Sequence, residues 1–203
     1  MRHLNAHNLT ALRAEKIIFR HLNLELNAGE LLYIRGNNGS GKTTLLQTLA
    51  GLLHPQGGHI DRHAPHLYLG HQAGTHPLLS VRENLQLFAK LYHPRTSKPP
   101  LPQILDHALH QVGLHPYQHQ QTRHLSAGQK RRCQLARLWL PAPKPAPIWL
   151  LDEPFTALDQ PTIARLIQHC EHHLHQGGSI ALTSHQPFTL NHPIRYLDLT
   201  PHA

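Results

Sequence analysis

Residues 36 to 43, Gly36-Asn37-Asn38-Gly39-Ser40-Gly41-Lys42-Thr43, fit the pattern G-x-x-x-x-G-K-[ST] at every fixed position, and no other stretch constrains the chain as strongly. The three glycines let consecutive N–H groups turn inward, so that an anion sits among them at the start of the next helix. Lys42 is then placed to neutralise β and γ phosphates, and the Thr43 hydroxyl to ligate Mg²⁺. The flanks have the required order. Glu30 to Arg35 is an apolar run of strand length, and Thr44 to Leu53 has helical periodicity. A nucleoside triphosphate site on a strand, a loop and a helix is the expectation.

The 203 residues have room for one large domain, or a domain with a small lobe, around a sizeable core. Nineteen Lys+Arg against 11 Asp+Glu give a net charge of +8, which suits an anionic partner: ATP, nucleic acid or the cytoplasmic face of a membrane. The cysteines are Cys133 and Cys170, both in segments that look helical, as expected of a reduced cytosolic protein. Met1 to Leu9 has no continuous apolar run of the kind a signal peptide needs, and no stretch approaches a membrane-spanning length. The expectation is a chain that reaches a membrane only by docking on it or on an integral partner.

Twenty-two histidines run from His3 to His202, and most are expected at the surface. The densest group, His169, Cys170, His172, His173 and His175, could set two or three imidazoles on one helix face. No second ligand pair at a metal-site spacing accompanies it, so a solvated helix face is expected there.

In chain order, Leu22 to Leu26 alternates as a half-buried strand does, and Asn27 to Glu30 turns into the strand before the phosphate loop. An antiparallel layer therefore precedes the core. Gly51 and His54 to Gly58 end the helix after the loop, and Leu67 to Gly70 is a short strand leading to Gln72. Ser80-Val81-Arg82-Glu83 is a capping box opening a helix with Leu85, Leu87, Phe88 and Leu91 on its apolar face. A proline-rich linker, His93 to Pro102, leads to a second helix around Ile104 to Val112. Residues 80–125 are read as a helical subdomain inserted into a nucleotide-binding core of 1–79 and 126–203.

Leu125-Ser126-Ala127-Gly128-Gln129 stands just before a helical run from Lys130 to Leu140, which puts a hydroxyl and N–H groups at a helix N-terminus, suited to phosphate. Ile148 to Glu153 is an apolar strand ending in two adjacent acids, one able to hold Mg²⁺ and the next to orient water. Ala157-Leu158-Asp159 follows. Ile180 to Ser184 is another apolar strand, delivering His185 at its C-terminal end, where ligands bind in parallel α/β sheets.

Taken together, residues 36–43, Gln72, 125–129, 148–153, 157–159 and His185 resemble the full motif set of the ABC transporter ATPase subunits, over almost the whole chain. The resemblance implies an α/β fold of the P-loop NTPase type: a mostly parallel sheet core, an antiparallel β layer and an inserted helical lobe. It implies ATP as substrate and Mg²⁺ as cofactor. Gly36, Asn37, Asn38, Gly39, Ser40, Gly41, Lys42, Thr43 and Thr44 would hold the phosphates, and Thr43 and Asp152 the Mg²⁺. Glu153 would polarise the attacking water and His185 contact the γ-phosphate. Gln72 would touch the metal site and link it to the helical lobe. Ser126 and Gly128 would close over ATP bound to the other protomer of a head-to-tail homodimer, and Asp159 would be a further ATP-binding residue. Where most members carry an aromatic residue to stack on adenine, Arg13 aligns, and a guanidinium plane can also stack on a base.

Within that family, Leu69-Gly70-His71-Gln72, Leu125 to Arg132, Ala136 to Leu140, Asp152 to Asp159 and Ser184-His185-Gln186-Pro187 are similar to the ATPases of bacterial cytochrome c maturation. The proline-rich insert Pro141 to Pro147 departs from that pattern in a loop, where added residues are tolerated. This implies a peripheral subunit on the cytoplasmic face of the bacterial inner membrane, with integral partners resembling CcmB and CcmC, energising haem handling. The chain ends soon after Ile194 to Leu199, so a minimal subunit without a regulatory C-terminal domain is expected. An ATPase for a lipid, drug or peptide exporter is the alternative. Nucleic acid is not expected as a partner, because relatives of that kind carry paired ATPase halves or long coiled-coil insertions.

Overall fold

The computed structural model describes residues 1–13, 16–72, 74–92, 101–141 and 147–199. Most of the two proline-rich segments expected at 93–102 and 141–147 lies outside the described residues, as does the side chain of Leu91. Along the chain come β1 (Arg2–Arg13), β2 (Lys16–Asn27), β3 (Leu31–Arg35), α1 (Lys42–Leu49), β4 (Gly57–Arg62), β5 (His66–Leu69), α2 (Val81–Tyr92), α3 (Leu101–Gln111), α4 (Ala127–Leu135), β6 (Ile148–Asp152), α5 (Gln160–His175), β7 (Ser179–Thr183) and β8 (Ile194–Asp198).

Two sheets result, as the sequence pattern predicts. β2, β1 and β4 pair antiparallel in that order, while β5, β6, β7, β3 and β8 form a sheet in which every pairing is parallel. β6 and β7 are buried at every residue, which is why they read as continuous apolar runs: a central parallel strand is covered on both faces. The chain separates into two compact units. The first comprises Met1–Gly70, Lys144–Pro154 and Ile167–Ala203, and the second His71–Pro143 and Phe155–Leu166. The second contains all of residues 80–125 and extends beyond them on both sides.

The first unit closes around one buried cluster. Leu4, Leu9 and Leu26 of the antiparallel sheet meet Ile34 and Leu150 of the parallel sheet and Leu45 of α1. α1 stops at Leu49, short of the expected Leu53, because Gly51 takes a left-handed φ of 76° and Arg62 donates from Nε to Leu49 O (2.8 Å) and from a terminal nitrogen to Thr48 O (3.0 Å). Thr48 O also accepts from Gly51 N (3.0 Å), so the glycine turn and the guanidinium together satisfy the last carbonyls of the helix.

In the second unit the capping box is formed: Ser80 N donates to Glu83 Oε2 (2.7 Å) and Glu83 N to Ser80 Oγ (3.2 Å). Leu85 and Ala89 of α2, with Ile104, Leu105, Ala108 and Leu109 of α3, are buried. Arg137 lies with its guanidinium carbon 3.2 Å from the Phe88 ring centre and donates to Gly74 O (2.9 Å).

The expected solvated face of α5 is corrected at His173. His173 is buried, stacked on Trp149 with ring centres 3.6 Å apart, and its Nε2 donates to the Pro147 carbonyl at 3.0 Å. Cys170 is buried beside it, whereas His172 and His175 are exposed. An i, i+3 pair facing a sheet is sufficient cause: Cys170 and His173 share the covered side of the helix. Burial lowers the His173 pKa to about 4 and pushes the Cys133 and Cys170 thiols up to about 11 and 12.

A histidine whose folded pKa lies below its unfolded value stabilises the fold in its neutral form. That stability is present above about pH 6.5 and is lost as pH falls towards 4, amounting to about 3 kcal/mol. His3 and His66, also lowered by burial, act with the same sign. The urea midpoint is therefore expected to drop between pH 6.5 and 4, and to drop less in His173→Phe, which keeps the stack but cannot titrate. An equal drop in both proteins would remove His173 from the account.

Candidate functional site

The phosphate loop lies between β3 and α1, as the sequence requires. Gly41 is the residue before α1, with a φ of 100°, and a Cβ there would lie 2.1 Å from Ile18 Cγ2. Only glycine fits that turn and that contact. No side chain caps α1, so its first N–H groups are left for a ligand. Asn37, Asn38 and Gly39 form an exposed rim, while Ser40, Lys42 and Thr44 are buried. Lys42 Nζ donates to Gly36 O (2.7 Å) and Asn37 O (3.1 Å), folded back over its own loop. Ser40 Oγ is buried with no hydrogen-bond partner among the described residues.

Opposite the loop, β6 ends in Asp152 and Glu153. Asp152 is buried, and its two oxygens accept from Thr43 Oγ1 and Thr183 Oγ1, each at 2.8 Å. Glu153 has a φ of 52°, a conformation that costs a non-glycine residue about 1–3 kcal/mol unless its surroundings hold it. What holds it is Thr183: its hydroxyl, donating to Asp152, also accepts from Glu153 N at 3.0 Å. Glu153 Oε2 accepts from His185 N (2.9 Å), and Oε1 stands 3.5 Å from His185 Nε2. The Glu153 side chain is 13% exposed and that of His185 55%, so the acid is sheltered while the imidazole faces outward. Tyr33 on β3 donates to Ser184 O at 2.8 Å, fixing the segment that carries His185. The structure thus brings Lys42, Thr43, Asp152, Glu153 and His185 together at the C-terminal ends of β3, β6 and β7.

The other expected residues lie in the second unit, or away from this network. Ser126 caps α4: its Oγ accepts from Gln129 N (3.2 Å), and Gln129 Oε1 accepts from Ser126 N (2.9 Å). That reciprocal pair starts the helix at Ala127, ahead of the expected Lys130. Gly128 allows a close approach, since a Cβ there would lie 2.7 Å from Ala157 O. The 125–129 and 157–159 motifs are therefore in contact. Asp159 Oδ1 accepts from Thr162 N (2.9 Å) at the start of α5, and hydrogen bonding from Thr162 holds its carboxyl below the usual range. Gln72 is exposed, and its carbonyl accepts from Gln134 Nε2 at 3.0 Å. Arg13 is exposed at the end of β1, whereas Ile18 and Phe19 of β2 meet the loop at Gly41.

These residues fit a nucleotide with Mg²⁺. The buried Ser40 hydroxyl, the uncapped α1 and an ammonium paired, among the described residues, with carbonyls of its own loop suit an anion. The Thr43 hydroxyl with the Asp152 carboxylate is a hard oxygen donor set of the kind Mg²⁺ takes.

Sequence reasoning missed Thr183 and Tyr33. The signal was a threonine closing the apolar run Ile180 to Leu182, two residues before His185. Thr183→Val keeps the shape and removes both hydroxyl contacts. ATP hydrolysis is expected to fall roughly 10- to 100-fold, the scale of supporting-shell changes, with nucleotide affinity retained within a few-fold. Steady-state turnover with equilibrium nucleotide binding checks this, and unchanged turnover would contradict it.

The family model described as ABC transporter matches residues 19–156. A Pseudomonas putida protein named cytochrome c biogenesis ATP-binding export protein CcmA is 43% identical over 195 residues, covering 90% of this chain and 89% of the relative. A protein named CcmA 1 from Salmonella paratyphi A is 41% identical over 196 residues, covering 91% and 90%. Among solved structures, a dimeric ATP-binding cassette in a post-hydrolysis state bound to ADP and Pi superposes with a TM-score of 0.77 at 23% identity, covering 90% of this chain and 88% of that one. On its matched family and on its identity to these relatives, the chain belongs to the ABC transporter family.

Proposed function

We propose that the chain hydrolyses ATP as the peripheral subunit of an inner-membrane ABC complex that serves haem handling in c-type cytochrome biogenesis. The observation that carries this reading is the 43% identity, over nine-tenths of both chains, to a relative named for cytochrome c biogenesis and export. The joined network of Lys42, Thr43, Asp152, Glu153 and His185 supports the hydrolytic part.

In this reading the backbone from Gly36 to Thr44 cradles the phosphates, and Lys42 exchanges the Gly36 and Asn37 carbonyls for phosphate oxygens. Thr43 and Asp152, hydrogen-bonded to each other, would hold Mg²⁺ through their oxygens. Bound Mg²⁺ supplies charge neutralisation at the β and γ phosphates. Glu153, fixed by Thr183 and by His185 N, orients the attacking water and accepts its proton. His185, exposed beside Glu153, contacts the γ-phosphate. The protein's contribution is positioning and charge stabilisation, which dominate phosphoryl transfer.

The family pattern assigns Gln72 to relaying nucleotide state, Arg13 to the adenine, Asp159 to nucleotide binding, and Ser126 and Gly128 to the nucleotide of the partner protomer in a head-to-tail homodimer. The dimeric cassette of similar fold supports that assembly. Among the described residues no helix is long and apolar enough to cross a membrane. Integral subunits resembling CcmB and CcmC are therefore proposed to hold the chain at the cytoplasmic face of the inner membrane, where a net charge of +8 suits anionic headgroups. Nucleic acid has no part in this reading.

The test is a haem stain for covalently attached c-type cytochromes in cells lacking the gene, complemented by the intact protein or by Lys42→Ala. Rescue by the intact protein alone is expected. Normal cytochromes without the gene would contradict the assignment to cytochrome biogenesis.

A further inference from the structure

Among the 22 histidines, one pair is placed by the sheet rather than by sequence spacing. His7 on β1 and His59 on β4 are direct partners in the antiparallel register, and Asn5 is the partner of Asp61. Successive residues of a strand alternate faces, so Asn5, His7, His59 and Asp61 share one face. Leu4 and Ala6, on the opposite face, are buried in the core. The two imidazole rings have centres 5.0 Å apart. His59 Nε2 stands 3.7 Å from Asp61 Oδ2, and the three side chains offer one ligand atom each within 4.8 Å of one another.

The backbone here is built for close approach. The register shifts after His7, Asn8 takes a φ of 53°, and Gly58 takes a φ of 82°. A Cβ on Gly58 would lie 2.2 Å from His7 O, so the glycine lets β4 press against β1 beside the histidine pair. Such bulges re-aim side chains and fix register. Asn5 Nδ2 lies 2.6 Å from His7 Nε2 and steadies that ring. A carboxamide partner on one ring nitrogen leaves the other for a ligand bond, the arrangement that supporting residues give metal-bound histidines.

We propose that His7, His59 and Asp61 form a binding site for a divalent cation of the zinc type on the outer face of the antiparallel sheet. Two imidazoles and one carboxylate are a borderline donor set that selects Zn²⁺ and its transition-metal neighbours over Mg²⁺ and Ca²⁺, which take oxygen ligands. Zn–N and Zn–O bonds of about 2.0–2.2 Å bring tetrahedral ligands nearer one another than 4.8 Å, so rotation of exposed side chains completes the site without moving the strands. Solvent fills the remaining position. The site is distinct from the Thr43–Asp152 pair, whose donors are all oxygen.

The test uses the full chain without a histidine tag, free of nucleotide, with Zn²⁺ titrated against a chromophoric chelator in excess Mg²⁺. One equivalent is expected to bind more tightly than the scattered histidines. His59→Ala and Asp61→Asn should each weaken that equivalent by about tenfold or more, since even supporting-residue changes cost that much. His172→Ala, at an exposed histidine of α5, should leave it unchanged. Both test positions are exposed, and Asp61→Asn is nearly isosteric, so unaltered thermal midpoints without metal show that the fold is kept. Co²⁺ in place of Zn²⁺ should give visible absorption bands that vanish in the same two variants. No tight equivalent in the intact chain, or one that survives both substitutions, would overturn the proposal.

Discussion

The Asp152 carboxylate is the constraint on which the site depends. It is buried at the end of a wholly buried strand, where an unpaired charge would be costly, and two threonine hydroxyls satisfy it: Thr43 from the phosphate loop and Thr183 from the neighbouring strand. Through those two bonds the loop, β6 and β7 are held to one another at the same end of the parallel sheet. Glu153 inherits its position from them, because its strained backbone is held by the hydroxyl that also serves Asp152. His185 then rests on Glu153 through its backbone N–H.

Parallel pairing supplies the common end at which these groups meet. Leu31 lies opposite Ile180, and Asp152 opposite Thr183, so β3, β6 and β7 end within about one residue of one another. Each strand brings one group: the phosphate loop after β3, the acid pair at the end of β6, His185 after β7. The antiparallel sheet contributes a different kind of support. Ile18 of β2 meets the phosphate loop at Gly41, and His3 of β1 reaches Ser179 of β7 through a 3.0 Å contact between its Nδ1 and the serine hydroxyl.

Much of this was legible in the sequence because the informative residues lie close together along the chain. Gly36 to Thr43, Ile148 to Glu153 and Ile180 to His185 each announce an element and its chemistry through local pattern, and the structure puts strands and loops where those patterns say. Legibility failed where a residue's role depends on a partner far away in sequence. Thr183 reads as the end of an apolar run, and nothing nearby reveals that it bonds both Asp152 and Glu153. His173 reads as one of several helix histidines, whereas Trp149 and the Pro147 carbonyl make it a core residue. The early end of α1 is set by Arg62, which comes after the helix and an intervening turn. His7 and His59 are likewise paired only by strand register.

We propose that Glu153 carries out the proton chemistry while Lys42, Thr43 and Asp152 hold the nucleotide. Glu153→Gln separates the two roles, because an amide keeps the side chain's size and its capacity to accept from His185 N but is no base. The most direct measurement is single-turnover ATP hydrolysis by this variant, with size-exclusion chromatography in ATP alongside. ATP bound at wild-type strength, hydrolysis slowed about a hundredfold or more and an accumulating dimer are predicted. Hydrolysis near the wild-type rate would contradict the assignment of Glu153.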